Sequence, residues 1–201
     1  MPYLFSEEDR KRVREEMLKI GFELIREHGM THASVEKVTK AAGLGRTTFY
    51  NFFPSKEYFV YEIAVSMRMK LMAHFEELLD GRDKLPIAQA QDFFKEIIFN
   101  EDSIYQYLTP EDKEKLRAEL PPECFLDIDG EANVMNYLFR HMENVRPDLD
   151  EHLIGNLLKI MALTQINKAE LHTDALNRTL DQLYDLLFSN IFKKEGMQCN
   201  L

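Results

Sequence analysis

The chain has 201 residues, 45% hydrophobic and 30% charged, with eight glycines, seven prolines and a net charge of −10. That is enough for one domain, or for a small domain joined to a larger one, with a true core beneath a charged surface. No apolar run approaches the ~20 residues of a membrane span, and the opening MPYLFSEEDRKRVREE lacks the apolar core of a signal peptide.

The two cysteines, Cys124 and Cys199, match no metal or redox spacing, and the second lies close to the end of the chain. This argues against a structural disulfide and fits a reducing compartment. A soluble, cytoplasmic protein without cofactor or metal is therefore expected. Its acidity is not evenly spread. Residues 1–60 hold ten Lys/Arg against nine Asp/Glu, a net of +1, and the remainder carries −11. The surplus of carboxylates belongs to the C-terminal part.

In chain order, residues 7–28 predict a helix: Ser6 can cap it, Glu7, Glu8 and Asp9 suit the positive end of its dipole, and Gly29 stops it. Val13, Met17, Ile20, Leu24 and Ile25 form its apolar face. Ser34 caps a short helix through Ala42. Gly43 suits a left-handed turn, because a residue without Cβ reaches positive φ at little cost. A second short helix follows from about Gly45 to Phe52. Pro54 ends it, and Ser55 caps a long helix to about Asp80. Further helices are predicted at about 86–100, 110–119, 131–144, 149–169 and 173–194, the one at 110 opening on Thr109-Pro110-Glu111-Asp112 as cap, first-turn proline and acidic first turn. The class is all-α.

The unit from Ser34 to Phe53 has the dimensions of a helix-turn-helix. Val35, Val38, Ala42, Leu44, Phe49 and Phe53 meet its demand for apolar inward positions. Arg46, Thr47, Thr48, Tyr50 and Asn51 are left facing outward, and these are types that bond phosphates or base edges. A plain helical hairpin with a wet polar face is the alternative. Residues 41–55 contain no carboxylate, however, and a merely solvated face in so acidic a chain would carry some.

The segment TKAAGLGRTTFYNFFPSKEYFV resembles the DNA-binding segment of the TetR (tetracycline repressor) family of bacterial transcriptional regulators. The likeness runs through about residues 10–60 and includes the helix ending in REHG. It implies an N-terminal three-helix DNA-binding domain over residues 1–54 and a helical bundle for effector binding and dimerisation over 55–201. Arg46, Thr47 and Thr48 would be recognition-helix contacts, with Arg46, Thr47 and Asn51 the candidates for base edges. Tyr50 and Lys56 would hold phosphates, Asn51 would stand where histidine is common, and Ser34 would cap the second helix and help present its amides to phosphate. Thr39 replaces a common alanine and Gly45 a common serine, and the second change weakens one expected phosphate contact.

In 173–194, Leu176, Leu180, Leu183, Leu187 and Ile191 make a single stripe, whereas apolar residues surround the axis of 149–169. Gly155, Ala162 and Ala169 recur every seven residues, a strip where another helix can approach closely. Burial inside one subunit is the plain reading. The resemblance implies a homodimer interface on Gly155, Ala162, Leu176, Leu180, Leu183 and Leu187. Residues 61–145 are rich in aromatics and methionines, which in this family enclose an effector pocket. Met72, Phe75, Phe94, Tyr105, Tyr137 and His141 are candidates for lining one, suited to an apolar or aromatic small molecule.

Enzymatic signatures are missing. His28 and His32 do not share a helix face across Gly29, no His-Glu-x-x-His, Walker loop or Gly-x-Ser-x-Gly occurs, and DIDGE places its glycine too early for a calcium loop. The expected protein is a ligand-responsive repressor that binds a palindromic operator as a homodimer. The rival is a helical adaptor that keeps the fold without regulated DNA binding.

Overall fold

The computed structural model describes residues 6–99, 104, 107–124 and 131–193. Among them are nine α-helices: α1 (Glu7–His32), α2 (Val35–Ala41), α3 (Arg46–Tyr50), α4 (Lys56–Leu79), α5 (Ile87–Phe99), α6 (Pro110–Glu119), α7 (Glu131–Arg140), α8 (Glu151–Ile166) and α9 (Thr173–Ile191). No β-strand occurs among the described residues. Two isolated bridges, Leu85 with Met142 and Val145 with Phe192, tie loops together.

The local signals act as expected. Ser6 accepts from the Asp9 amide, Ser34 from that of Lys37, Ser55 from that of Tyr58, and Thr109 forms a reciprocal capping box with Asp112. Gly29 leaves helical geometry at φ 76°, so the main run of α1 ends there and one turn continues to His32. α7 is shorter than the predicted 131–144. Past Arg140 the chain turns so that the His141 carbonyl accepts from the Leu85 amide, and Asn144 takes a left-handed φ of 55°.

The contacts gather the chain into two compact units, one of Met1–Lys70 with Asp102–Gly130, the other of Leu71–Glu101 with Glu131–Leu201. The boundary predicted after residue 54 is one of function, which compactness does not decide. In the first unit, Met17, Phe22 and Ile25 of α1, Val38 of α2, Phe49 of α3 and Phe59 and Ile63 of α4 share a core with Ile104, Leu116 and Cys124. The rings of Phe49, Phe53 and Phe59 meet at centroid distances of 4.8–5.3 Å. Gly21 lets α1 and α4 approach: a Cβ there would lie 2.3 Å from the Phe59 ring.

The second unit is built on Phe75, Leu79, Phe93, Phe94, Leu138, Met142, Ile154, Met161, Leu180, Leu187 and Ile191. α4 therefore contributes to both cores, its first half to one and its last turns to the other.

Candidate nucleic-acid interface

α2, the turn and α3 form a hairpin held by backbone bonds. The Gly43 amide donates to Lys40 O at 3.2 Å and the Leu44 amide to Thr39 O at 2.8 Å, with Gly43 at φ 66°. Every L side chain is strained in that conformation, which explains the glycine. Thr39, which stands at a common alanine position, is buried and returns its hydroxyl to Glu36 O at 3.1 Å. It thus fills the core without leaving an unpaired oxygen. Gly45 is the N-cap of α3 and supplies no side-chain cap.

α3 has five residues, too few to hold a helix alone. Its conformation is imposed from outside by Phe49 and Phe53, both fully buried. That burial turns Arg46, Thr47, Tyr50 and Asn51 outward, all exposed, with Thr48 half-buried and Ser34 half-buried at the start of α2. Lys37 and Lys40 of α2 are exposed as well. Arg46 has no carboxylate partner among the described residues, so its five donors stay available to a ligand. The surface is cationic and rich in donors, suited to phosphate oxygens and base edges.

Lys56 is differently placed from an extended phosphate arm. Its Nζ donates to Met30 O at 2.6 Å and Thr31 O at 3.3 Å, the carbonyls that end α1. Burial, then the nearby Lys115 charge, hold its pKa below the ordinary lysine value. Next to it, Glu57 accepts from Lys115 of α6 at 3.0 Å.

Two residues that the sequence reading left aside also touch this hairpin. Arg10 of α1 stacks over the Phe52 ring, 4.9 Å from its centroid, and its terminal nitrogen is 3.5 Å from Asn51 O. One turn on, Arg14 lies 5.7 Å from the Phe53 centroid and is paired with Glu62. An arginine pair spaced i, i+4 opposite two consecutive phenylalanines was the available signal.

In the second unit, Phe75 and Phe94 are fully buried and pack on Phe93, so they have no surface to offer a ligand in this conformation. Met72 is half-buried against the same core. The Tyr137 hydroxyl donates to Glu76, which raises its pKa, and its ring lies 4.2 Å from that of His141. Tyr105 lies outside the described residues. A cleft of about 290 Å³ between α5 and α9 is lined by Gln91, Lys95, Asp181, Tyr184, Asp185 and Phe188, none of them among the expected pocket residues.

Of the residues expected at an interface, Leu180 and Leu187 are 4% and 0% exposed and belong to the core of their own unit. They lie on the inner side of α9, against the core of the second unit. Leu176, Leu183 and Ala162 are half-buried, and Gly155 is exposed with open space above it. On these two helices the exposed large apolar side chains are instead Leu153, Ile160 and Leu163 of α8 and Leu186 of α9, each 40–49% accessible. Spaced by seven and three, the three on α8 occupy one side of the helix.

Among the described residues no group of His, Cys, Asp or Glu could hold a metal ion, and no helix is long and apolar enough to cross a membrane.

Residues 18–63 match the model of bacterial regulatory proteins of the tetR family. Among curated proteins, the HTH-type transcriptional repressor DhaR of Mycobacterium sp. (strain GP1) is 28% identical over 86 residues, 43% of this chain and 43% of that one. The matched region thus spans less than half of the relative. The fold is similar to solved structures throughout. A TetR family transcription regulator from Marinobacter aquaeolei VT8 aligns at TM-score 0.65 and 14% identity, covering 93% of this chain and 99% of that one. A transcriptional regulator from Saccharomonospora viridis, solved with choline, aligns at TM-score 0.63 and 15% identity, covering 92% and 100%.

Proposed function

We propose that this chain, a tetR-family protein by its residues 18–63 and its fold, is a ligand-responsive transcriptional repressor that binds a palindromic operator as a homodimer. The observation that carries this reading is the outward face of α3. Arg46, Thr47, Tyr50 and Asn51 are exposed together within a stretch, 41–55, that contains no carboxylate in a chain of net charge −10. A polyanion is the partner for which such a surface is built, and the acidic remainder disfavours association through any other face.

Arg46, Thr47, Thr48 and Asn51 are assigned to base edges, and Tyr50, Lys56 and the start of α2 at Ser34 to the backbone. The exposed apolar side chains of α8 and α9 are the surface for a second copy, which would set two recognition helices about one helical turn apart on the duplex. A small organic effector binds the second unit and acts through α4, which contributes to both cores. The choline held by one fold neighbour supports an effector of that size. No catalytic step is assigned, and the site of action is the cytoplasm.

Selection of bound duplexes from a random pool by the full chain, followed by footprinting, tests the reading. An enriched palindrome protected on two half-sites supports it. Absence of any enriched sequence at low salt transfers the protein to the adaptor class.

A further inference from the structure

The cleft between α5 and α9 lies wholly within the second unit. One wall is Gln91 and Lys95, a turn apart on α5. The other is Asp181, Tyr184, Asp185 and Phe188 of α9, whose spacing places all four on one side of that helix. The rings of Tyr184 and Phe188 are buried and stack at 5.6 Å and 21°, whereas both carboxylates are exposed. Aromatic faces therefore form the base of this wall and carboxylates its rim.

Ring faces and carboxylates both attract positive charge. Burial, and then the Asp181 charge, push the pKa of the Tyr184 hydroxyl up, so added negative charge is disfavoured at the same place. The chain shows the preference itself. The Lys95 ammonium lies over the Tyr184 ring, 5.9 Å from its centroid, and is part of the cover on that ring. This lysine is exposed, and it has a second station at Asp92, 3.9 Å away on its own helix and outside the lining of the cleft. The volume of about 290 Å³ is at the lower end for ligand pockets, which selects a small molecule.

We propose that this cleft is a site for a small organic cation, a quaternary ammonium or an amine with a short apolar body. The ligand takes the place of the Lys95 ammonium over Tyr184, between Asp181 and Asp185, and Lys95 withdraws to Asp92. At about 100° per residue, Leu186 lies about 150° around the α9 axis from the centre of this wall, so a second copy seated on the Leu186 side leaves the cleft open. As the effector site this rests on the regulatory reading above, but binding of the cation does not.

The test titrates the DNA-free full chain with benzyltrimethylammonium, benzyl alcohol and benzoate by calorimetry, and maps each by amide chemical shifts. The cation is expected to bind at least about 10-fold more tightly than the other two and to shift amides around 91–95 and 181–188. Asp181→Asn with Asp185→Asn should weaken it about 5–20-fold, the worth of two exposed ion pairs. Lys95→Ala should tighten it about 2–5-fold by removing the competing ammonium. All three substitutions are at exposed positions, so the fold is retained.

Benzyl alcohol binding as tightly as the cation overturns the proposal, since apolar contact alone then accounts for it. So does benzoate binding that Lys95→Ala abolishes, the mark of an anion site. Cation shifts confined to other helices, or no cation binding to Lys95→Ala at millimolar concentration, overturn it as well. The selected duplex is then titrated with the protein saturated in the cation. A changed affinity supports the effector role, and an unaltered one removes that role while the binding data keep the site. If the wild-type chain enriches no duplex, the DNA-binding reading fails and the calorimetry still decides the cleft.

Discussion

The Lys56 ammonium donates to the Met30 carbonyl oxygen at 2.6 Å and to that of Thr31 at 3.3 Å, so the first residue of α4 closes the end of α1. Two of its three protons are thereby committed inside the protein, and one remains for a phosphate. Lys56→Ala is expected to lower unfolding stability by about 1.5–3 kcal/mol, the range for hydrogen bonds to a charged group. It should also weaken binding to all duplexes alike and lower the log–log salt slope by about 1. Urea unfolding and salt titration measure the two effects separately. A stability loss with an unaltered slope would make Lys56 a tie between helices and nothing more.

Arg46 differs from Lys56 in having no internal partner among the described residues. Arg46→Ala should leave stability unchanged, cost roughly 1–3 kcal/mol on the selected duplex and relax the base choice at one symmetric position. Binding to duplexes substituted one position at a time reads this out. Loss of salt dependence without loss of sequence preference would reverse the assignments of Arg46 and Lys56.

Ile160 and Leu180 separate the proposed interface from the core. Ile160 is 49% accessible and Leu180 4%. Ile160→Glu should split the dimer in sedimentation and reduce operator affinity while leaving the fold of the monomer intact. Leu180→Ala should instead cost about 2–5 kcal/mol of stability through the cavity it leaves in the second core. A dimer that survives Ile160→Glu would remove this side of α8 from the interface.

Glu57 gives the first unit an acid-sensitive contact. Burial pushes its carboxyl pKa up, but the Lys115 hydrogen bond, a backbone hydrogen bond and the charges of Lys115 and Lys56 together outweigh this and hold it below its ordinary 4.5. A carboxyl with a lower pKa folded than unfolded stabilises the protein above its unfolded value, and this is lost as pH falls through the folded value. Lys115, raised above 10.5 chiefly by the Glu57 hydrogen bond, contributes below that value and ceases to as pH rises through its folded pKa. Glu57→Gln is therefore expected to flatten the acid limb of stability below about pH 5 and leave smaller differences between variants in acid than at neutrality. Urea midpoints across that range check it. An acid limb equally steep in the variant would show that Glu57 carries none of it.

The sequence determined what depends on short range. Ser6, Ser34, Ser55 and Thr109 cap the helices they announce, and Gly29 and Gly43 take the positive φ that their places in the pattern required. The alternation of apolar and polar residues around Phe49 likewise decided which side of α3 faces out, because burying Phe49 within the helix and Phe53 just past its end leaves only one side for the polar residues. What only the tertiary structure decided concerns pairs far apart in the chain. Lys56 reads as a phosphate ligand until α1 brings the Met30 carbonyl to it, and Arg10 reads as one charge in a solvated run until Phe52 lies beneath it. Leu180 and Leu187 share a stripe with Leu183, and periodicity cannot distinguish a stripe that meets its own core from one that meets a partner. Both are apolar surfaces removed from water, and only the fold shows that these two are already covered, while Leu153, Ile160 and Leu163 are not.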